Sequence, residues 1–272
     1  MAYAGKLLRL SRFRYRGSQR GLIVPIDHGL TLGPVDGLVS VARIGAWLTH
    51  HGVTGIIAHK GLIERLASRN MLGRLGVMMH LNGMSSLASK PDTKQLLTRV
   101  DTAVRLGVDG VSVQLNYDGD NDPHNMQLLG AVVDEAQRFG LPVLTMLYDK
   151  VESADPRARI ARLRHLMRIS IELGSDALKL AAPSNPDELP LILDGLCEDI
   201  PIFFAGGSLS SDEQLLSMTR LAATHGASGL CMGRNVFQRE SADLLLDRLS
   251  RILRGRRHET APVALVDELD VA

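Results

Sequence analysis

Eight short apolar runs recur along this 272-residue chain, each followed by a stretch whose apolar residues return every three or four positions. The runs are 22-LIVPID-27, 54-TGIIAH-59, 76-GVMMHL-81, 110-GVSVQL-115, 142-PVLTMLY-148, 176-DALKL-180, 201-PIFFA-205 and 228-SGLCMG-233. Their length and composition predict strands, and the stretches between them predict amphipathic helices. In 157-RARIARLRHLMRISIELG-174, Ile160, Leu163, Leu166, Met167, Ile169 and Ile171 form one apolar stripe, and Gly174 is a natural stop. The segment 236-VFQRESADLLLDRLSRIL-253 predicts another helix. Several helices end on a glycine two or three residues before the next run, as in 51-HGVTG-55, 106-LGVDG-110, 139-FGLPV-143, 173-LGSDA-177 and 225-HGASG-229. Such short links after a crossover helix force successive strands to run parallel. Eight strand–helix units closing on themselves make a (β/α)8 TIM barrel. An open doubly wound sheet is the other arrangement, but the count of eight and the lack of a dinucleotide glycine fingerprint after the first run favour the barrel.

The bulk numbers narrow the classes. Hydrophobic residues make up 45%, which argues for a globular core and against general disorder. The net charge is +1, so neither a nucleic acid nor an anionic membrane is expected as a partner. Two cysteines, Cys197 and Cys231, cannot build a disulfide framework, and a reducing cytoplasm is the expected location. No segment reads as a signal peptide or a bilayer span. Residues 1–20 form a basic leader with Lys6, Arg9, Arg12, Arg14, Arg16 and Arg20. It reads as a short helix covering the barrel bottom or a subunit contact, with a polyanion-binding arm as the functional alternative. The barrel is expected over 21–254, with a C-terminal tail over 255–272.

Chemistry in such a barrel sits at the C-terminal ends of the strands. Polar residues crowd there: Asp27 and His28, His59 and Lys60, His80 and Asn82, Gln114 and Asn116, Tyr148 to Lys150, Lys179, Gly206 and Gly207, Gly233 and Arg234. Lys179 is the most informative of them. A strand sends alternate side chains to opposite faces, so Leu178 and Leu180 meet the outer helices while Lys179 and Ala177 point into the barrel. A charge there is costly unless paired or neutralised. A neutral lysine amine is a nucleophile able to form a Schiff base with a carbonyl substrate. Lowering its pKa from ~10.4 to about 7 requires about 4 kcal/mol of destabilised charge. Desolvation and a neighbouring cation, with Lys60 and Lys150 as candidates, are expected to supply it. The plainer role is an ion pair with Asp27.

Tyr148 shares the inward face with Leu144 and Met146, where a phenol can pass a proton to or from substrate or simply fill space. Asp27 lies inward with Ile23 and Pro25 and can shuttle protons, hold a substrate hydroxyl, or only pair with a lysine. The glycines of 205-AGGS-208 and 233-GRN-235 let backbone N–H groups approach an anion, and Arg234 adds a planar fork, so the seventh and eighth strand ends read as a phosphate site. His28, His59 and His80 end three consecutive strands, which raises a zinc-dependent lyase as an alternative. Cys231 reads as core.

The segments 22-LIVPIDHGLTLGP-34, 58-AHKG-61, 144-LTMLYDK-150, 176-DALKL-180, 205-AGGS-208 and 226-GASGLCMGRNVFQ-238 resemble the archaeal-type class I aldolase family. That family includes archaeal-type fructose-bisphosphate aldolase and the synthase making 2-amino-3,7-dideoxy-D-threo-hept-6-ulosonate. The resemblance runs from about Lys6 to about Leu253. It implies a Schiff base on Lys179, acid/base work by Tyr148, proton steps assisted by Asp27, and phosphate held by Gly206, Gly207, Gly233 and Arg234. His28 joins the substrate-binding set. It further implies a ring of identical subunits, often ten, and a reaction that calls for no cofactor and no metal. The chain departs from the family's YPRG at Tyr148-Asp149-Lys150. It has Met146 where the fructose-bisphosphate enzymes carry tryptophan, and 180-LAAPSN-185 after the lysine. These changes surround the acceptor pocket. They favour a biosynthetic condensation of dihydroxyacetone phosphate or a related ketose phosphate with an aldehyde such as aspartate semialdehyde. Fructose 1,6-bisphosphate cleavage and a non-catalytic sugar-phosphate sensor are the alternatives.

Overall fold

A computed structural model of the chain describes residues 2–255. The proposed tail, Gly255 apart, lies outside the described residues. Ten strands form. They are β1 (Gly21–Pro25), β2 (Gly55–Ala58), β3 (Gly76–His80), β4 (Asn82–Gly83), β5 (Gln95–Leu96), β6 (Gly110–Tyr117), β7 (Val143–Asp149), β8 (Ala177–Ala181), β9 (Ile202–Ala205) and β10 (Gly229–Cys231). Eight close into a barrel in the order β1-β10-β9-β8-β7-β6-β3-β2, every pair parallel, with β1 joining β2 to complete the ring. The remaining two, β4 and β5, make a small antiparallel pair at the mouth. This is the (β/α)8 barrel expected from the repeat.

The alternation within strands divides the core into two. Leu22, Val24, Leu178 and Leu180 belong to the large cluster between sheet and helices. Ile23, Ile57, Met78, Leu144, Met146, Ala177, Phe203 and Cys231 fill the barrel interior, with Tyr148 packed against them. Phe13 closes the bottom of this inner column. A Cβ on Gly55 or Gly76 would lie 2.6 or 2.8 Å from its ring, so the glycines make room for the plug. The leader is a helix over Ala2–Ser11 whose basic residues are spent on the barrel. Lys6 pairs with Asp176 at 2.9 Å, Arg12 with Asp109 at 2.6 Å, and Arg9 donates to the Gly140 carbonyl at 3.0 Å. These contacts explain the basic run without a polyanion.

The helix Pro156–Glu172 starts where Asp155 accepts a hydrogen bond from the Arg157 N–H at 2.9 Å, and it ends just before Gly174 at φ +92°. The helix expected over 236–253 is instead two, Arg234–Phe237 and Asp243–Arg254. Arg239 sits at the break. Its guanidinium donates to the Asn235 carbonyl at 2.9 Å and the Ser210 carbonyl at 2.6 Å, and pairs with Asp212 at 2.8 Å. Tertiary contacts thus override the helical period. Among the described residues, no helix is long and apolar enough to cross a membrane.

Candidate active site

A cavity of about 220 Å³ opens at the C-terminal ends of the strands. Asp27, His28, Tyr148, Lys179 and Arg234 line it, together with His80 and Lys94. Five of the sequence-expected residues therefore meet in one place. Lys179 is buried on the inward face of β8, and its Nζ lies 3.7 Å from the sulfur of Met146 on neighbouring β7.

Burial disfavours the Lys179 ammonium, but Tyr148, Cys231 and Asp27 outweigh it and push the amine above the ordinary lysine range. This corrects the expected neighbouring cation. Lys150 is turned away and pairs with Asp92 at 3.1 Å, and Lys60 is exposed at the start of the helix Lys60–Ala67. With Tyr148 and Asp27 favouring its charge, Lys179 is held as an ammonium. Cys231 is core, as expected; its thiol lies near Lys179, and burial pushes it up to about 11.

Asp27 follows β1 and precedes the five-residue helix His28–Leu32; with Leu22, Val24 and Ile26 in the outer cluster and Ile23 inside, alternation continues to Asp27, which lines the cavity. Burial raises its pKa, yet His80, His28 and Lys179 outweigh that and hold the carboxyl below the usual range. It stays an anion. His28 Nδ1 lies 3.4 Å from Asp27 Oδ1, and His80 Nε2 lies 3.8 Å from Asp27 Oδ2. His80 is fixed from behind by the Ser112 hydroxyl, 2.8 Å from Nδ1, and burial above all pushes it down to about 3. Burial lowers His28 as well, against the pull of Asp27.

The strand-end histidines do not build a metal cage. His59 Nδ1 is held 3.2 Å from the His80 carbonyl oxygen, and the rings of His59 and His80 meet edge to face at 5.2 Å. Among the described residues, the donors that do gather within 4.8 Å of one another are His50, His51 and Asp247, away from the mouth. His80 carries a consequence for pH. The unfolded chain takes up a proton near pH 6.5, which the folded chain refuses until about 3. Stability is therefore full above pH 6.5 and falls as the pH drops toward 3. Urea unfolding at pH 7 and pH 5 should show a loss in the native chain that is smaller in His80→Asn.

The glycine segments follow β9 and β10; Arg234 lines the cavity, whereas Gly206, Gly207 and Gly233 are not among its lining residues. Gly207 adopts φ +67°, and a Cβ on Gly206 would lie 2.7 Å from Met232. A Cβ on Gly233 would lie 2.6 Å from the Pro25 carbonyl oxygen and 2.9 Å from His28. Asn235, buried and given no separate role in the sequence reading, organises the loop. Its Nδ2 donates to the carbonyls of Gly206 at 2.8 Å and Ser208 at 2.9 Å, and its Oδ1 accepts from the Ser210 N–H at 2.9 Å. The carbonyls are thereby turned to Asn235. Among the described residues, the N–H groups of Gly206, Gly207 and Ser208 find no acceptor.

A buried amine that can become a nucleophile, a phenol against it, a carboxylate within Coulomb range and an N–H-rich loop are the parts of a carbonyl-condensing site. A family profile described as DeoC/LacD family aldolase matches residues 21–239. The chain belongs to the DeoC/LacD aldolase family. This aldolase is 31% identical to the 2-amino-3,7-dideoxy-D-threo-hept-6-ulosonate synthase of Halobacterium salinarum over 264 residues, 97% of either chain. It is 30% identical to the 2-amino-4,5-dihydroxy-6-oxo-7-(phosphonooxy)heptanoate synthase of Streptomyces griseus over 247 residues, 90% of this chain and 89% of that one. An archaeal fructose 1,6-bisphosphate aldolase shares the fold, with a TM-score of 0.80 at 22% identity over 92% of this chain and 99% of that one.

Proposed function

We propose that this aldolase joins the ketone of a phosphorylated donor of the dihydroxyacetone phosphate kind to an aldehyde such as aspartate semialdehyde, through a Schiff base on Lys179. The observation that carries this reading is the placement of one buried amine beside Tyr148 and Asp27 in a cavity that Arg234 also lines. The donor phosphate is taken by the N–H groups of Gly206 and Gly207 and by Arg234, with Gly233 allowing close approach and His28 flanking it. This fixes the ketone carbon over Lys179. The ammonium passes its proton to the Asp27 carboxylate, and the free amine adds to the carbonyl carbon. The carbinolamine hydroxyl takes the Tyr148 phenol proton and leaves as water, giving an iminium and a Tyr148 phenolate. The iminium withdraws electrons from the adjacent carbon, which loses a proton to Tyr148 and becomes an enamine. The enamine carbon attacks the aldehyde, whose oxygen is protonated. Water then cleaves the imine and returns the amine.

The relatives named as heptulosonate and phosphonooxyheptanoate synthases support a condensation over a cleavage. A coupling screen tests it. Dihydroxyacetone phosphate is supplied with a panel of aldehydes, and products are read by mass spectrometry. A new seven-carbon amino-acid phosphate from aspartate semialdehyde is expected. Cleavage of fructose 1,6-bisphosphate with no condensation product would contradict the assignment.

A further inference from the structure

Resting on that reading, we propose that Lys94 is the residue that selects the acceptor aldehyde, by binding an anionic group at the end remote from its carbonyl. Lys94 is 4% exposed and lines the cavity, yet among the described residues its Nζ makes no hydrogen bond or ion pair. Burying an ammonium without a partner is costly, and a ligand anion removes that cost.

The position is built. Residues 84–94 form an excursion between β4 and β5, and Lys94 stands where it returns. The Lys94 carbonyl accepts from His124 Nε2 at 2.8 Å, Thr93 Oγ1 lies 2.7 Å from Asn121 Oδ1, and Gln95 pairs with Gly83. Asn82, beside Gly83, clamps the pair to β6. Its amide donates to the Gln114 carbonyl at 2.8 Å and accepts from the Gln114 N–H at 2.8 Å. The nearest carboxylate on the same loop, Asp92, is already taken by Lys150 at 3.1 Å and by the Asn116 amide at 3.1 Å.

Strand order then gives the direction of the substrate. Around the mouth, Arg234 follows β10, Lys179 lies on β8, Tyr148 on β7, and Lys94 stands beside β6 and β3. A donor reaching from the glycine loops to Lys179 spans the β10-to-β8 side. An acceptor meeting it there extends past Tyr148 toward Lys94. The charges agree. Lys94, Lys179 and Arg234 face a single carboxylate, Asp27, across the cavity. A donor phosphate at one end and a second anion at the other would balance them.

The test compares aspartate semialdehyde, glyceraldehyde 3-phosphate and uncharged propanal as acceptors, with dihydroxyacetone phosphate as donor, in the native enzyme, Lys94→Met and Lys94→Arg. For the native enzyme's preferred anionic acceptor, kcat/KM should fall about 100-fold in Lys94→Met, chiefly through KM. For propanal it should fall less than about 3-fold. Lys94→Arg should keep most of the preference, and borohydride trapping of donor on Lys179 should survive in both variants. Whichever anionic acceptor loses more tells whether the group is carboxylate or phosphate. Equal losses for charged and uncharged acceptors, or no loss in Lys94→Met, would overturn the assignment while leaving the aldolase chemistry standing. A native enzyme that couples none of the three aldehydes would remove the reading beneath it as well.

Discussion

Replacing Lys179 by methionine should lower kcat/KM for condensation by more than about 10⁴-fold, because the covalent step needs an amine at the end of β8, beside Tyr148 and Asp27. The expected loss falls on chemistry and not on folding. The side chain is buried beside Met146, Phe203 and Cys231, and methionine nearly matches its length and adds no charge. Donor binding should persist, since the glycine loops and Arg234 are untouched. Equilibrium binding of dihydroxyacetone phosphate, measured beside turnover, separates the two. A variant that still condenses at more than a hundredth of the native rate would mean that the amine only holds the barrel together.

Tyr148→Phe should lower kcat by about 10² to 10⁴-fold with little change in donor affinity, the range expected when a positioned acid/base is removed. The ring stays, so the packing against the barrel interior stays, and only the hydroxyl is lost. A second effect separates this residue from a bystander. Tyr148 favours the Lys179 ammonium, so its removal lowers the pKa of the amine. The native Lys179 pKa lies above the ordinary lysine value, and imine formation therefore rises with pH. In Tyr148→Phe that rise should move to lower pH even as turnover falls. A pH profile of single-turnover imine formation checks it. An unshifted profile with full turnover would remove Tyr148 from the mechanism.

The barrel was legible because two periods coexist in the chain, and each is a direct consequence of backbone geometry. The same period of two put Lys179, Tyr148 and Met146 inside and Leu178 and Leu180 outside, as found. The glycine loops were legible because close approach of backbone leaves few substitutes for glycine. What could not be read is which groups meet across strands. The cations expected near Lys179 are a tail-end lysine paired with Asp92 and an exposed helix lysine, because position in the next loop says nothing of direction. Asp27 reaches the cavity on the parity of β1, with Ile26 before it packed outward. Lys94 carried no signal, since strands of two residues show no period. Asn235 lay inside a quoted motif, but its three hydrogen bonds to the β9 loop depend on tertiary placement alone.

The account turns on a carbon–nitrogen bond between the donor ketone and the Lys179 amine. Borohydride added to the enzyme with dihydroxyacetone phosphate, followed by peptide mass spectrometry, reads that bond directly. A stable donor adduct is expected on the peptide containing Lys179, and none on the Lys179→Met variant. An enzyme that condenses its substrates yet yields no adduct, or an adduct on another lysine, would contradict it.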